Sequence, residues 1–245
     1  MAKKRKPENL GPHPILLWAV VIVLLVVLFF LINSSLFNVS NITVQGNNRF
    51  SAEEIISVSG IDYQTNILHV DEYAAKENIE KNAYLVVENI KRTFPATVII
   101  SVRERTAVAQ IGTINGYYVI DKEGVALALN PIRDDNLTAV YNFGIAQPSY
   151  AQVIIGESEE KTSAMFRVLE AIEQNNLQGK ITGIDLKDPQ KIMLDYAGGI
   201  KISIGNSLTA KDRLKYLQAT VEAVKDRLKE GSVINMESSG GYFIS

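Results

Sequence analysis

One uninterrupted apolar stretch dominates the pattern of hydrophobic and polar residues near the start of the chain. It runs from Ile15 to Ile32 and contains eighteen residues without a charged or polar side chain. At a rise of about 1.5 Å per residue, a helix of this length reaches roughly 27 Å, close to the ~30 Å hydrocarbon core of a bilayer. A helix buried in a globular core is the alternative, but such helices seldom lack a polar face over this length. The pattern therefore predicts a transmembrane helix over residues 15–32.

The charges on either side of this run predict its orientation. Four basic residues precede it: Lys3, Lys4, Arg5 and Lys6. No charged residue follows it until Arg49. Because basic flanks stay on the cytoplasmic side, we expect a cytoplasmic N-terminus and an extracytoplasmic body, the type II arrangement. A cleaved signal peptide is the alternative, but its apolar core is usually about 7–15 residues long and ends at a small-residue site, which the sequence after Ile32 matches poorly.

Beyond the apolar run the pattern changes to short elements. Their predicted order is strand, helix, helix, strand, strand, over residues 37–44, 51–60, 71–82, 85–92 and 98–103. Ser51 and Glu54 have the spacing of a capping box at the start of the first helix, and Asp71 is a natural N-cap for the second. Gly46-Asn47-Asn48 predicts a turn after the first strand.

A second set of elements follows residue 107. A hairpin is predicted over residues 116–129, with Asp121 to Gly124 as its turn. Strands are predicted near residues 138–143, 153–155, 181–186, 191–196, 200–204, 233–236 and 242–244. Helical periodicity predicts helices over residues 159–174 and 209–229, the second with Thr209 and Asp212 as a capping pair.

Charge and composition exclude several classes of protein. The chain carries 25 Lys and Arg against 27 Asp and Glu. Since its basic cluster lies before the apolar run, the remainder is mildly acidic, which argues against nucleic acid as the main partner. The chain has no cysteine, which excludes a disulfide framework, thiolate metal sites and a cysteine nucleophile.

Catalytic chemistry is difficult to assemble from the remaining residues. The chain has two histidines, His13 beside the apolar run and His69 alone in an apolar stretch. No serine lies in a nucleophile-elbow context, and no glycine loop of either common phosphate-binding type is present. Glu157, Glu159 and Glu160 could resemble a glycosidase pair, but at a helix start the macrodipole explains them better. We therefore expect no enzymatic activity, no cofactor and no metal site.

Two stretches of the first region resemble a known family. One contains a basic pair, an aromatic residue, a proline and a strand that closes on a Glu-Arg pair: Lys91, Arg92, Phe94, Pro95, Val102, Glu104 and Arg105. The other is the start of the region, where Val44, Gly46, Asn47 and Ser51 occur in matching order. Both resemble the POTRA domain of the bacterial division proteins FtsQ and DivIB. The family usually has a proline where this chain has Ala107.

The second region is similar to the same family at its start. The hairpin Tyr117-Tyr118-Val119-Ile120-Asp121 resembles the beginning of the family's β domain, whereas Leu137-Thr138 departs from its Leu-Pro pair. The resemblance implies four segments: a cytoplasmic tail at 1–14, a transmembrane helix at 15–32, a POTRA domain at 37–106 and a β domain at 107–245. The expected fold class is a single N-terminal transmembrane helix followed by an α+β extracytoplasmic region, in which a POTRA domain (βααββ) precedes a mixed β domain with two packed helices.

The resemblance also implies a function and partners. It indicates a non-enzymatic scaffold that promotes assembly of the septal division complex, in the cell membrane and enriched at the septum. FtsL-like and FtsB/DivIC-like proteins are the expected partners, with no small-molecule substrate. An anchored POTRA protein in secretion or envelope assembly, or a tethered cell-wall enzyme, is the alternative.

The end of the chain supplies a mechanism for partner binding on physical grounds. A strand at a sheet edge leaves unpaired amides that can accept a strand from a partner. Tyr242, Phe243 and Ile244 are the candidate partner-binding residues of such a strand. Core contacts of an ordinary last strand are the other interpretation of these three residues.

Overall fold

The described part of the chain forms two compact units in a computed structural model. The structure describes residues 13–146, 150–237 and 243–244. The first unit contains the chain up to Ile79 together with Val87–Arg103, and the second contains Glu80–Val86 and the chain from Glu104 on.

The described part of the chain begins with helix α1 (His13–Ile32), which ends at a cluster of polar residues. Asn33 Nδ2 donates to the Phe29 carbonyl at 2.8 Å, and Ser34 Oγ donates to the Leu31 carbonyl at 2.6 Å. These bonds satisfy carbonyls that the helix end leaves without an intrahelical partner. The side chains of α1 are described from Leu16 on, and among the described residues no helix is long and apolar enough to cross a membrane.

Among the described residues, the first unit contains, besides α1, a three-stranded sheet in the order β1-β3-β2 and two helices. The elements are β1 (Asn41–Gln45), α2 (Ala52–Ser59), α3 (Glu72–Glu80), β2 (Leu85–Thr93) and β3 (Thr97–Glu104). This confirms the predicted order strand, helix, helix, strand, strand. Strands β1 and β3 are parallel, with Asn41 opposite Thr97. Ile42, Ile55 and Ile100 are buried between sheet and helices.

Both predicted helix starts of this unit are confirmed. Ser51 Oγ accepts the Glu54 amide at 3.2 Å, and Glu54 Oε2 accepts the Ser51 amide at 2.8 Å, which completes the capping box. Asp71 Oδ1 accepts the Ala74 amide at 3.0 Å. Gly60 ends α2 at φ +74°, a left-handed conformation that glycine adopts without a steric cost.

In the second unit, the described residues form a nine-stranded mixed sheet in the order β12-β11-β10-β9-β8-β7-β4-β5-β6. Its strands are β4 (Ala107–Thr113), β5 (Gly116–Asp121), β6 (Ala126–Asn130), β7 (Thr138–Tyr141), β8 (Ile181–Asp185), β9 (Ile192–Tyr196), β10 (Ile200–Gly205), β11 (Val233–Asn235) and β12 (Phe243–Ile244). Its helices are α4 (Glu159–Gln174), α5 (Ala210–Lys215) and α6 (Leu217–Val224). One core cluster joins helices and sheet, with Met165, Leu214 and Leu194 among its buried members.

The prediction of one helix over residues 209–229 is wrong. The segment is divided into α5 and α6 at Tyr216, whose amide bonds back to the Arg213 carbonyl at 3.3 Å. The buried residues Leu214, Leu217 and Thr220 recur every three positions, which is the spacing of a tighter helical turn. The second unit therefore packs three helices on its sheet instead of the two expected, and the predicted Thr209 cap makes no side-chain hydrogen bond.

Two further differences concern strands of the second unit. β4 was not predicted, because Gln110 interrupts its apolar pattern. Gln110 is fully buried, and its Oε1 accepts the Asp134 amide at 2.9 Å, so the tertiary fold satisfies a polar residue inside the strand. The strand predicted at residues 153–155 is only an isolated bridge from Val153 to Val125.

A buried ion pair fixes the beginning of the second unit. Arg105 Nη1 donates to Asp121 Oδ2, and to Glu123 Oε2 at 2.5 Å. The side chain of Asp121 is 3% exposed, and its other oxygen accepts the amides of Glu123 at 2.9 Å and Val125 at 2.8 Å. Burial alone lowers the pKa of Arg105, but its hydrogen bonds to Asp121 and Glu123 outweigh burial and raise it. Arg105, the second residue of the Glu-Arg pair in the sequence motif, therefore anchors the hairpin formed by β5 and β6.

Candidate partner-binding edge of the sheet

Strand β12 forms one edge of the nine-stranded sheet of the described chain. It is antiparallel to β11, with Ile244 opposite Ile234 and Phe243 opposite Asn235. A strand at an edge is paired on one side and leaves backbone groups on the other side available. Of the predicted partner-binding residues, Phe243 and Ile244 therefore belong to an edge strand, whereas Tyr242 lies outside the described residues.

The inner neighbours of β12 hold the edge in place. β11 runs parallel to β10, with Ile202 opposite Ile234, and both side chains are fully buried. The ladder continues past the strand, where the Met236 amide donates to the Ser203 carbonyl at 2.9 Å. A parallel pair needs a crossover connection, and here α5 and α6 supply it.

Arg213 ties the ends of these two strands together. From α5, its Nη1 donates to the Ile204 carbonyl at the end of β10, and its Nη2 donates to the Glu237 carbonyl beyond β11 at 2.9 Å. Gly205, at φ +64°, leaves room for this guanidinium, because an added Cβ would lie 2.7 Å from Arg213 Nη1. Ser203 Oγ also donates to the Glu237 carboxylate. Arg213 is not among the residues predicted from the sequence; the glycine at the end of the β10 pattern was the signal that could have indicated a close approach there.

Charged and ionisable groups lie on β10 and β9, the second and third strands inward from β12. Lys201 Nζ on β10 is 2.9 Å from Asp195 Oδ1 on β9, and the hydrogen bond and charge of Asp195 raise the pKa of Lys201. Burial, followed by the charge of Glu222, raises the pKa of the Tyr196 phenol. The raised pKa of each group favours its protonated form, a cationic Lys201 and a neutral Tyr196 phenol.

The acidic cluster at the start of α4 is engaged in local contacts. Lys161 Nζ lies 2.5 Å from Glu157 Oε1, and Gln190 Nε2 donates to Glu160 Oε1 at 2.5 Å. Glu159 and Glu160 occupy the first turn of α4, where the helix dipole favours carboxylates. A cavity of about 510 Å³ beside them is lined in part by Arg167.

Of the other residues singled out from the sequence, the structure describes His69 but not the basic residues of the N-terminal tail. His69 is exposed in a 3₁₀ turn (Ile67–His69) of the first unit. Lys3, Lys4, Arg5 and Lys6 lie outside the described residues. Within the described ranges, no group of three or more His, Cys, Asp or Glu side chains is placed to hold a metal ion.

In the described chain, a βααββ arrangement precedes a mixed sheet that ends in an edge strand. Residues 37–105 match the family model described as POTRA domain, FtsQ-type, and residues 107–237 match the model described as Cell division protein FtsQ/DivIB, C-terminal. The chain therefore belongs to the FtsQ/DivIB family of cell division proteins, and residues 37–105 match the POTRA domain that the sequence motif predicted.

Individual relatives agree with the family models. The chain is 27% identical over 172 residues to the cell division protein DivIB of Clostridium tetani, a match covering 69% of this chain and 64% of the relative. It is 30% identical over 151 residues to DivIB of Clostridium acetobutylicum, covering 61% and 60%. FtsQ of Corynebacterium glutamicum is 26% identical over 181 residues, covering 71% and 74%. The chain thus spans about three fifths of the length of the first two relatives.

Solved structures match as well. One of them is the major extracytoplasmic domain of the trans isomer of DivIB from Geobacillus stearothermophilus, with 12% identity and a TM-score of 0.35. The match covers 51% of this chain and 98% of that domain.

Proposed function

We propose that this chain is a non-enzymatic, membrane-anchored division protein that promotes assembly of the septal division complex through extracytoplasmic protein contacts. The observation that carries the proposal is the edge strand β12, in a chain that belongs to a family of division proteins. An edge strand supplies a binding surface made of backbone groups and requires no catalytic chemistry.

Helix α1 is the proposed anchor, with the N-terminus in the cytoplasm. The apolar run of the sequence covers eighteen residues from Ile15 to Ile32. Every large apolar side chain from Leu16 to Leu31 is exposed, so the interior of the protein does not account for this apolar surface. Burying one large apolar side chain is worth about 1.5–3 kcal/mol, and a bilayer would supply that burial along the whole helix.

The proposed partners are FtsL-like and FtsB/DivIC-like division proteins. A partner segment that adds to β12 in an extended conformation would gain main-chain hydrogen bonds from the edge and specificity from alternate side chains. Arg213 supports such binding indirectly, because it holds together the ends of β10 and β11, on which β12 pairs. The names of the matching relatives favour this role over secretion or cell-wall hydrolysis.

A fluorescent fusion to the N-terminus, combined with depletion of the chain, tests the role in division. We expect a band of fluorescence at the septum and filamentous or enlarged cells on depletion. A matched fusion that stops after Ile32 retains α1 alone and is expected to spread over the whole envelope. Diffuse envelope fluorescence of the full chain, with normal division after its depletion, would contradict the proposal.

A further inference from the structure

Two segments of the first unit meet at the end of its sheet where β1 begins. Because β1 and β3 are parallel and in register, the residues preceding each strand lie at the same end. The amides of Ser40 and Asn41 confirm this, since they donate to the Ala96 carbonyl at 2.9 and 3.2 Å. The chain leaving α1 and the turn between β2 and β3 are therefore neighbours.

The loop before α3 joins them and contacts the end of α1. The Val39 amide donates to the Thr65 carbonyl at 2.8 Å, and the Gln64 amide donates to the Val39 carbonyl at 2.9 Å. Asn66 Nδ2 donates to the carbonyl of Ile32, the last residue of α1, at 2.7 Å. One end of the POTRA domain is thus hydrogen-bonded to the end of the proposed anchor.

This end of the domain carries exposed apolar side chains. Leu36 is 63% exposed, Phe94 is 57% exposed and Leu68 is 39% exposed. Phe37, which is half-buried, packs edge-on against Phe94 with ring centroids 6.5 Å apart. We call these four residues the membrane-end patch. They come from three separate segments of the chain, so their common location is a property of the fold.

We infer that the membrane-end patch lies in the headgroup layer of the bilayer, so that the POTRA domain rests on the lipid surface. The inference depends on the proposed anchoring by α1. Leu36 is four residues beyond Ile32, a distance that keeps it within about 14 Å of the helix end even in a fully extended chain. Aromatic and leucine side chains are favoured at this depth.

Lipid fits this patch better than another protein does for two reasons. The Asn66 bond ties the loop to the end of α1, which sets the patch at the height where the helix leaves the bilayer. Lys91, exposed near the end of β2, adds a positive charge suited to anionic headgroups. Contact with the surface would limit the rotation of the domain about α1 and so restrict the orientations in which partners meet it.

Site-directed spin labelling of the full chain tests the inference, and the absence of cysteine makes single labels unambiguous. The decisive label is Thr93→Cys, which is exposed beside Phe94 and leaves the patch intact. Val23→Cys in α1 reports the anchor. Glu53→Cys, exposed in the first turn of α2 beyond the other end of β1, is the matched control. The protein is reconstituted in vesicles of phosphatidylethanolamine and phosphatidylglycerol.

The readout is the relaxation of each label by oxygen, which concentrates in lipid, relative to relaxation by a water-soluble nickel chelate. We expect the ratio at Thr93 to lie several-fold above that at Glu53 and below that at Val23. Replacing Leu36 and Phe94 by aspartate should return the Thr93 ratio to the Glu53 value, with an unchanged circular dichroism spectrum. If the Thr93 ratio equals the Glu53 ratio while Val23 lies in the hydrocarbon, the membrane-end patch does not contact lipid. This outcome would overturn the inference and leave the proposed anchoring by α1 intact. An aqueous Val23 would overturn both.

Discussion

Replacing Arg105 by alanine is expected to lower the free energy of unfolding of the second unit by about 3–5 kcal/mol. The substitution leaves the Asp121 carboxylate, only 3% exposed, without its cation. Removing one partner of a buried pair costs more than the pair contributes, because the remaining charge stays desolvated. Asp121 also accepts two amides of the β5–β6 turn, so the loss should spread into this hairpin.

Native-state hydrogen exchange of amides in β4 and β5 measures the stability of the second unit separately from the stability of the first unit. Lys122→Ala is the matched control, because Lys122 follows Asp121 directly but is 61% exposed and lies 3.7 Å from Glu173. An exposed pair of this kind contributes at most about 1 kcal/mol. Equal effects of the two substitutions would show that the Arg105 contacts do not stabilise the unit.

Truncating the chain after Gly241 is expected to weaken partner capture while it leaves the fold largely intact. β12 pairs with β11 through two residue pairs only, so its removal takes little from the sheet. The partner would lose the hydrogen bonds of the edge, each worth about 0.5–1.5 kcal/mol. Two such bonds correspond to a roughly 5- to 150-fold loss of affinity. A pull-down with the extracytoplasmic segments of FtsL-like and DivIC-like proteins measures this loss.

Two proline variants separate backbone pairing from side-chain contacts. Successive amides of a strand point to opposite edges, so one of Phe243 and Ile244 has its amide on the free side. Phe243→Pro and Ile244→Pro each remove one amide, and the variant that lacks the outward amide should lose binding without affecting β11. Phe243→Ala and Ile244→Ala are the matched controls, because they remove the side chains and keep the amides. Unchanged affinity in the truncated chain and in both proline variants would show that strand addition is wrong.

Much of the fold followed from local patterns. Helix α4 has the predicted bounds of residues 159–174, because its apolar stripe recurs at helical spacing and acidic residues occupy its first turn. The last hairpin was predicted from two short apolar stretches around a glycine-rich turn, and its strands β11 and β12 are present. A helix or strand can be predicted from sequence when its apolar residues recur at the spacing of that element.

The remaining elements depend on tertiary contacts. Gln110 makes β4 difficult to predict from its sequence. A buried glutamine side chain is tolerated in a strand only when another segment satisfies its hydrogen bonds, as the Asp134 amide does here. Tyr216 divides a stripe that reads as one helix, because the buried residues Leu214, Leu217 and Thr220 are spaced three apart at this point. The contacts of Arg213 join residues 204 and 237, and a local pattern contains no information about such pairs.

We propose that this chain acts by binding division partners outside the membrane. Co-purification of such partners from membranes tests this role directly. The full chain, tagged at its N-terminus, is cross-linked in growing cells, purified from solubilised membranes and analysed by quantitative mass spectrometry beside the chain truncated after Gly241. We expect FtsL-like and FtsB/DivIC-like proteins to be enriched with the full chain and depleted with the truncated one. Enrichment of secretion or envelope-transport proteins in place of division proteins would contradict it.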